Sequence, residues 1–196
     1  LRGNNLINGF VIPATCENIT IQDIEFDQFI NAVEISSASN VLIQNCSFLS
    51  NTKGIRSYNS TNITIDHNTF SIFGQNRGLQ ITDNVSTTIT NNSFTGNTND
   101  GTGIEILLGE DTFPELPAAN PDYIHSENVN DYAEYNQIIS SNTFLNLLRG
   151  FDIDCKFGDK NQSEMEITSN QLTKAPVHIN NPAVQWIFAL NELSYS

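Results

Sequence analysis

Four side chains able to move protons recur at matching places along the chain: Glu105, Asp152, Asp154 and His178. Each lies between apolar residues in a short alternating segment, as in Ile104-Glu105-Ile106, Phe151-Asp152-Ile153-Asp154 and Val177-His178-Ile179. On a strand, alternate residues share a face, so the polar members of these segments point the same way. Asp152 and Asp154 would stand about 6.6 Å apart on one strand. Carboxylates that close raise at least one of the two pKa values, leaving one group to donate a proton and the other to accept it. That pairing is what glycoside hydrolysis uses. His178 offers a second acid/base, or a group that orients a carboxylate.

Further candidates sit in the equivalent segments upstream. Val33-Glu34-Ile35, Ile55-Arg56-Ser57-Tyr58 and Leu79-Gln80-Ile81 place Glu34, Arg56, Tyr58 and Gln80 as candidate substrate-binding groups. Arg56 falls three segments before Asp152, roughly 14 Å away at strand spacing, where it would grip a sugar carboxylate in a neighbouring subsite.

A repeat positions all of these. A second pattern reads Asn, apolar, Thr-like, Ile, two polar residues, Asn, small polar, Phe. Two copies are Asn62-Ile63-Thr64-Ile65-Asp66-His67-Asn68-Thr69-Phe70 and Ser86-Thr87-Thr88-Ile89-Thr90-Asn91-Asn92-Ser93-Phe94. Other copies end at Phe26, Phe48, Phe144, Leu172 and Leu193. Each is followed by one of the alternating segments, five of them led by glycine: Gly9, Gly54, Gly78, Gly103 and Gly150. A period of about 22 residues without helical segments describes a coil of short strands and turns. The expected fold is all-β, a right-handed parallel β-helix of about seven coils.

Stacked coils place like residues above one another at ~4.8 Å. Ile21, Ile43, Ile65, Ile89, Ile139, Ile167 and Phe188 form one inward column, and Phe26 through Leu193 another. Asn68, Asn92, Asn142, Asn170 and Asn191 form a third, suited to bonding the buried amides of successive turns. Ile24 and Cys46 hold that place in the first coils, so the ladder should begin at Asn68. One step, from Phe94 to Phe144, is far longer than the rest. It implies a loop insertion over 108–135 that leaves the Glu105 strand and carries Phe113, Tyr123, Tyr132 and Tyr135.

This pattern resembles the right-handed parallel β-helix repeat superfamily, the pectate-lyase-like proteins. The resemblance implies a polysaccharide or glycan as partner and a groove along the outward face of the strands that follow the aromatic turn. It does not extend to the catalytic signatures of named relatives. Asp-Pro-His, Gly-His-Gly and Arg-Ile-Lys are all missing. With Arg56 the only base on that face, elimination is disfavoured against hydrolysis.

Charge narrows the partners further. The 196 residues hold 8 Lys+Arg against 22 Asp+Glu, a formal net charge of −14. Nucleic acid and anionic membrane surfaces are disfavoured, and no run is apolar enough to insert in a membrane. Acidity of this kind suits an extracellular or cell-surface protein. Cys16, Cys46 and Cys155 show no metal spacing and read as small buried fillers. No cofactor is expected. Calcium is conceivable at Glu110, Asp111, Glu115, Asp122, Glu127, Asp131 and Glu134, hard oxygen ligands without basic company. His67 and His125 read as exposed turn and loop residues.

The expectation is a single β-helical domain over 1–196, part of a longer protein, because a solenoid caps its core. No cap is evident before Leu6 or after Leu193, so further domains or subunits would cover the ends. Two functions stand: a secreted or surface polysaccharide-acting protein, most simply glycoside hydrolase-like, or a non-catalytic carbohydrate-binding or surface-architecture module. Outward columns are polar in any β-helix, so the acid cluster alone does not separate them.

Overall fold

A computed structural model describes residues 1–97, 100–108, 136–155, 164–180 and 185–194. Three parallel sheets of seven strands run side by side, each strand pairing with its equivalent one coil away. The fold is thus the parallel β-helix that the repeat implies.

The first sheet, on whose outward face the resemblance places a groove and which is called the groove sheet for that reason, comprises Phe10–Ile12, Asn31–Ser36, Lys53–Tyr58, Arg77–Thr82, Thr102–Leu108, Arg149–Cys155 and Val177–Asn180. A second sheet carries the Ile column, with register Ile21↔Ile43↔Ile65↔Ile89↔Ile139↔Ile167↔Phe188. The third sheet holds the aromatic column. Phe26, Phe48, Phe70, Phe94 and Phe144 stack at 5.1, 4.7, 4.7 and 4.8 Å between ring centroids, with neighbours within 6° of parallel.

The corner between the second and third sheets is built identically in every coil. Asp23, Asn45, His67, Asn91, Ser141, Ser169 and Leu190 all take a left-handed backbone, with φ between 52° and 58°. Short polar residues tolerate that conformation best. The next residue turns inward, and there the Asn ladder stands. Asn92 Oδ1 accepts from the amide of Asn68 at 2.8 Å, while its Nδ2 donates to Ile65 O at 2.9 Å and to Asn142 Oδ1 at 3.1 Å. The same bonds repeat at Asn142 and Asn170. The ladder starts at Asn68, whose Oδ1 takes the amide of Cys46. Each asparagine satisfies an amide that would otherwise be buried without a partner.

The glycines leading the groove strands have a steric cause. A Cβ on Gly78 would lie 2.7 Å from Gly103 O and 2.7 Å from the Phe94 ring, and Gly54 is crowded the same way by Gly78 and Phe70. The stacked rings therefore occupy the space a side chain would need. The long step between Phe94 and Phe144 does not break the stack, because Ser93–Gly96 pairs directly with Thr143–Leu145. Residues 109–135 lie outside the described residues, and with them nearly all of the expected insertion, its aromatics, His125 and the acidic calcium candidates.

At the last coil the inward side chains are open: Ile179, Phe188 and Leu193 are 38%, 43% and 47% exposed. Cys46 and Cys155 are buried and Cys16 is partly buried, all as free thiols. Burial pushes the Cys155 thiol up to about 12, helped by the Asp154 charge, so it stays protonated and inert at neutral pH.

Candidate functional site

The groove sheet holds its residues in one register. Val11, Glu34, Arg56, Gln80, Glu105, Asp152 and His178 are successive partners across seven strands. Pairs on either side of them point inward and form the core, for example Leu79 and Ile81, or Ile104 and Ile106, all fully buried. Ser57 is the polar exception, buried inside where it accepts from Asn84 Nδ2 at 2.8 Å. Glu105, Asp152 and His178 thus project side by side from three consecutive coils. Asp154 stands in the next outward column, beside Leu107 and Asn180.

Asp152 sits at the centre of this end of the groove. Its Oδ1 lies 2.8 Å from His178 Nδ1, and its Oδ2 accepts from Arg149. The Arg149 contact spans three residues of one strand and brings a cation to the edge of the sheet. With Nδ1 bonded to a carboxylate, the imidazole holds its proton there and presents Nε2 outward. His178 is more than half exposed, so Nε2 faces solvent. Asp154 meets Asn180 Nδ2 at 3.4 Å.

Glu105 is enclosed instead. It is 7% exposed, accepts from Gln80 Nε2 at 2.6 Å, and lies 2.8 Å from Arg77 Nε. That Arg77 contact is an ion pair off the N–H axis, since the same Nε makes no hydrogen bond. At the other end of the groove, Glu34 accepts from Asn8 Nδ2 at 2.7 Å, Asn31 Nδ2 at 2.8 Å and the Tyr58 hydroxyl at 3.2 Å. The Arg56 guanidinium lies over the Tyr58 ring, 5.1 Å from its centroid.

The family model for the right-handed beta helix region matches residues 2–114, more than half of the chain. The chain belongs to the right-handed β-helix family. No curated protein and no solved structure matches it. The fold of this β-helix protein is therefore shared with a family, while its chemistry must be read from its own groove.

Reading the strands by alternation missed three cations of that groove. Lys53, Arg77 and Arg149 lie at strand starts, three residues before the outward column, and share a register with Asn31 and Thr102. Arg56 is thus not the only base near this face, and the premise that made elimination a poor fit is corrected. The signal was present as Lys-Gly, Arg-Gly and Arg-Gly before the apolar segments at 53, 77 and 149. Long side chains reach sideways from a strand end to the column beside it, which alternation alone does not reveal. Lys53 has a pKa below the usual lysine value, first because it is partly buried and then because Arg56 and Arg77 repel its charge. Glu105 and Glu34 offset part of this.

His67 is exposed, as its turn position implies, and its Nδ1 lies 2.7 Å from Asp66 Oδ2. Asp66 also accepts from Thr90 Oγ1 and Asn91 Nδ2. Burial would raise its pKa, but these bonds, His67 first, hold it below the ordinary carboxylate value. Among the described residues, no three His, Cys, Asp or Glu side chains gather as a metal site. Nor, among them, is any helix long and apolar enough to cross a membrane.

Proposed function

We propose that the groove sheet is a glycan-processing face of an extracellular or cell-surface protein. Its chemistry is hydrolysis of a glycosidic bond near Asp152. One observation supports this above the rest: Asp152 and His178 meet at one end of the groove, with His178 Nδ1 held by Asp152, and with Asp154 in the next outward column. A carboxylate that fixes the tautomer of an exposed imidazole leaves it able to accept a proton from water. Asp154, about 6–7 Å along the strand from Asp152, is the second carboxyl group on this face, at the separation a carboxyl pair around a glycosidic bond needs. Glu105 acts by its charge and by holding Arg77 and Gln80 in place. Glu34, Arg56, Tyr58 and Gln80 line the remaining length of the groove as sugar contacts.

A second reading has its own support. The enclosure of Glu105 between Arg77 and Gln80 is what a purely structural ion pair would show, and it fits a carbohydrate-binding module without turnover. Asp152→Asn separates the two, because it keeps shape while removing charge. Purified protein is screened against a polysaccharide panel for new reducing ends and for the ultraviolet absorbance of an unsaturated product. Hydrolysis predicts reducing ends without absorbance, falling at least about 100-fold in the variant. Absorbance without hydrolysis would move the reaction to elimination. Glycan binding unchanged by Asp152→Asn, with no turnover by either protein, would favour the binding module.

A further inference from the structure

Each carboxylate in the column that runs from Val11 to His178 is held from the start of a strand. Asn31, Lys53, Arg77, Thr102 and Arg149 share one register, three residues before that column. Asn31 Nδ2 donates to Glu34 Oε2 at 2.8 Å, Arg77 Nε lies 2.8 Å from Glu105 Oε2, and Arg149 Nη1 donates to Asp152 Oδ2. Asn31 and Arg149 take the acid of their own strand, whereas Arg77 reaches to the next coil. In all three acids one oxygen is engaged from the strand start, so the direction of the other is set.

What that other oxygen meets differs. Glu34 Oε1 accepts from the Tyr58 hydroxyl at 3.2 Å. Asp152 Oδ1 lies 2.8 Å from His178 Nδ1, on a ring that can carry its proton on either nitrogen. Asp152 is also crowded by its own sign of charge, with Glu105 one coil before it and Asp154 two residues on. Those two have other partners, Arg77 for Glu105 and Asn180 for Asp154. Among the described residues, Asp152 is the carboxylate that Arg149 meets.

We propose that Arg149 is a positioning residue for the Asp152–His178 pair: by holding Oδ2 it turns Oδ1 to the imidazole and keeps the proton of neutral His178 on Nδ1. The inference rests on this end of the groove being the reacting one, and it names the residue that decides which nitrogen of His178 is the base. An arginine fits the task, because its guanidinium bonds a carboxylate in a fixed direction and keeps its charge at every working pH. Without it, the Asp152 carboxylate turns about its Cβ–Cγ bond under the repulsion of Glu105 and Asp154. The imidazole then returns to the tautomer it prefers in water, with the proton on Nε2. Nε2 would donate where the reaction needs it to accept.

Nitrogen-15 NMR of the intact chain at about pH 9, above the ordinary histidine range, reads the tautomer without any substrate. His178→Gln assigns the signal. His67 is the internal standard, because its Nδ1 is held by Asp66. The expected result is a native His178 protonated chiefly on Nδ1. Arg149→Gln should lower the ratio of the Nδ1–H to the Nε2–H form about fivefold or more, with His67 unchanged. Arg149→Lys, which keeps the charge but loses the fork, should recover part of that ratio. Asp152→Ala removes the hold altogether and sets the lower limit. A native-like ratio in Arg149→Gln, beside a shifted one in Asp152→Ala, would overturn the role of Arg149 and leave the acid–imidazole pair standing. A native His178 already protonated on Nε2 would overturn both. On any polysaccharide that the native chain cleaves, Arg149→Gln should lower kcat about tenfold or more and leave KM within about twofold. A raised KM at unchanged kcat would make Arg149 a substrate contact instead. Absence of cleavage of every polysaccharide would overturn the hydrolytic reading alone, since the tautomer still decides the role of Arg149. Circular dichroism of each variant confirms the fold.

Discussion

Inside the solenoid, neighbouring coils repeat the same residue; on the groove sheet, they do not. The aromatic column is phenylalanine five times in succession from Phe26 to Phe144, and the corner column is asparagine from Asn68 to Asn191. The groove column reads Val, Glu, Arg, Gln, Glu, Asp, His, with no residue twice in a row. Both columns have the same spacing and the same parallel pairing, so geometry is not the difference. Each interior position solves the same problem as its neighbour, filling one slice of a narrow core or pairing one turn of amides. An outward position has no such shared task. Outward residues are singular and bond each other across coils, as Gln80 does Glu105 and Asp152 does His178, so each position is set by its own neighbours rather than by a shared repeat.

The sharpest way to break this comparison is to damage one slice of the core. Phe70 is 2% exposed between two rings at 4.7 Å, with Gly54 close beneath it. Phe70→Ala should cost roughly 3–5 kcal/mol in urea unfolding, because stacked neighbours cannot collapse into the cavity. A loss below about 1 kcal/mol would mean the column carries no more than an outward residue does. Next in size comes the ladder. Asn92→Ala strands the amide of Asn68 and the carbonyl of Ile65, and should cost about 1–3 kcal/mol. An unchanged midpoint would show that water replaces the asparagine at that corner.

How much of this was legible in the sequence follows from the same contrast. The Phe and Asn columns could be read because repetition in sequence becomes stacking in space, residue for residue. The outward column Glu34, Arg56, Gln80, Glu105, Asp152 and His178 was legible for the same reason, since it is locked to the inward residues on either side. What escaped was reach. Lys53, Arg77 and Arg149 belong to no alternating pattern, yet their side chains extend beside the column that alternation identifies. The partner choices inside the groove escaped too: that Arg77 would take Glu105 on the next coil, while Arg149 takes Asp152 on its own strand, depends on side-chain length and direction. Glu105, expected as an open acid, is enclosed for that reason.

A smaller effect concerns an outward group away from the groove. Asp66 has its pKa below 3.8, so the folded chain holds its proton less tightly than the unfolded chain does. Its contribution is complete above the unfolded value and is lost as pH falls through the folded one. The Tm difference between the native chain and Asp66→Asn should be constant near neutrality and shrink only in acid below that value. A difference that stayed constant through the acid range would show that the bonds from His67, Asn91 and Thr90 do not hold the carboxylate.

The smallest stability effect belongs to Lys53, and its sign is the informative part. Partial burial, Arg56 and Arg77 lower its pKa from 10.5, while Glu105 and Glu34 act in the opposite direction without cancelling them. The folded state therefore disfavours the charged amine. Below the folded pKa both states are protonated and the native chain bears the full penalty; as pH rises towards 10.5 the folded chain releases its proton first and the penalty disappears. Lys53→Met keeps the stem and removes the charge. At neutral pH it should raise stability slightly, by under about 1 kcal/mol once solvent screening is allowed for. The gain should shrink with added salt and vanish in alkali. A phenylalanine or asparagine of the interior repeat shows the reverse, since its removal only costs. If Lys53→Met lowers Tm at neutral pH, Lys53 supports the fold through contacts its charge does not explain, and the groove loses its contrast with the core. If it raises Tm, the chain carries a residue that its own stability would discard, and the reason for that residue lies outside the folded chain.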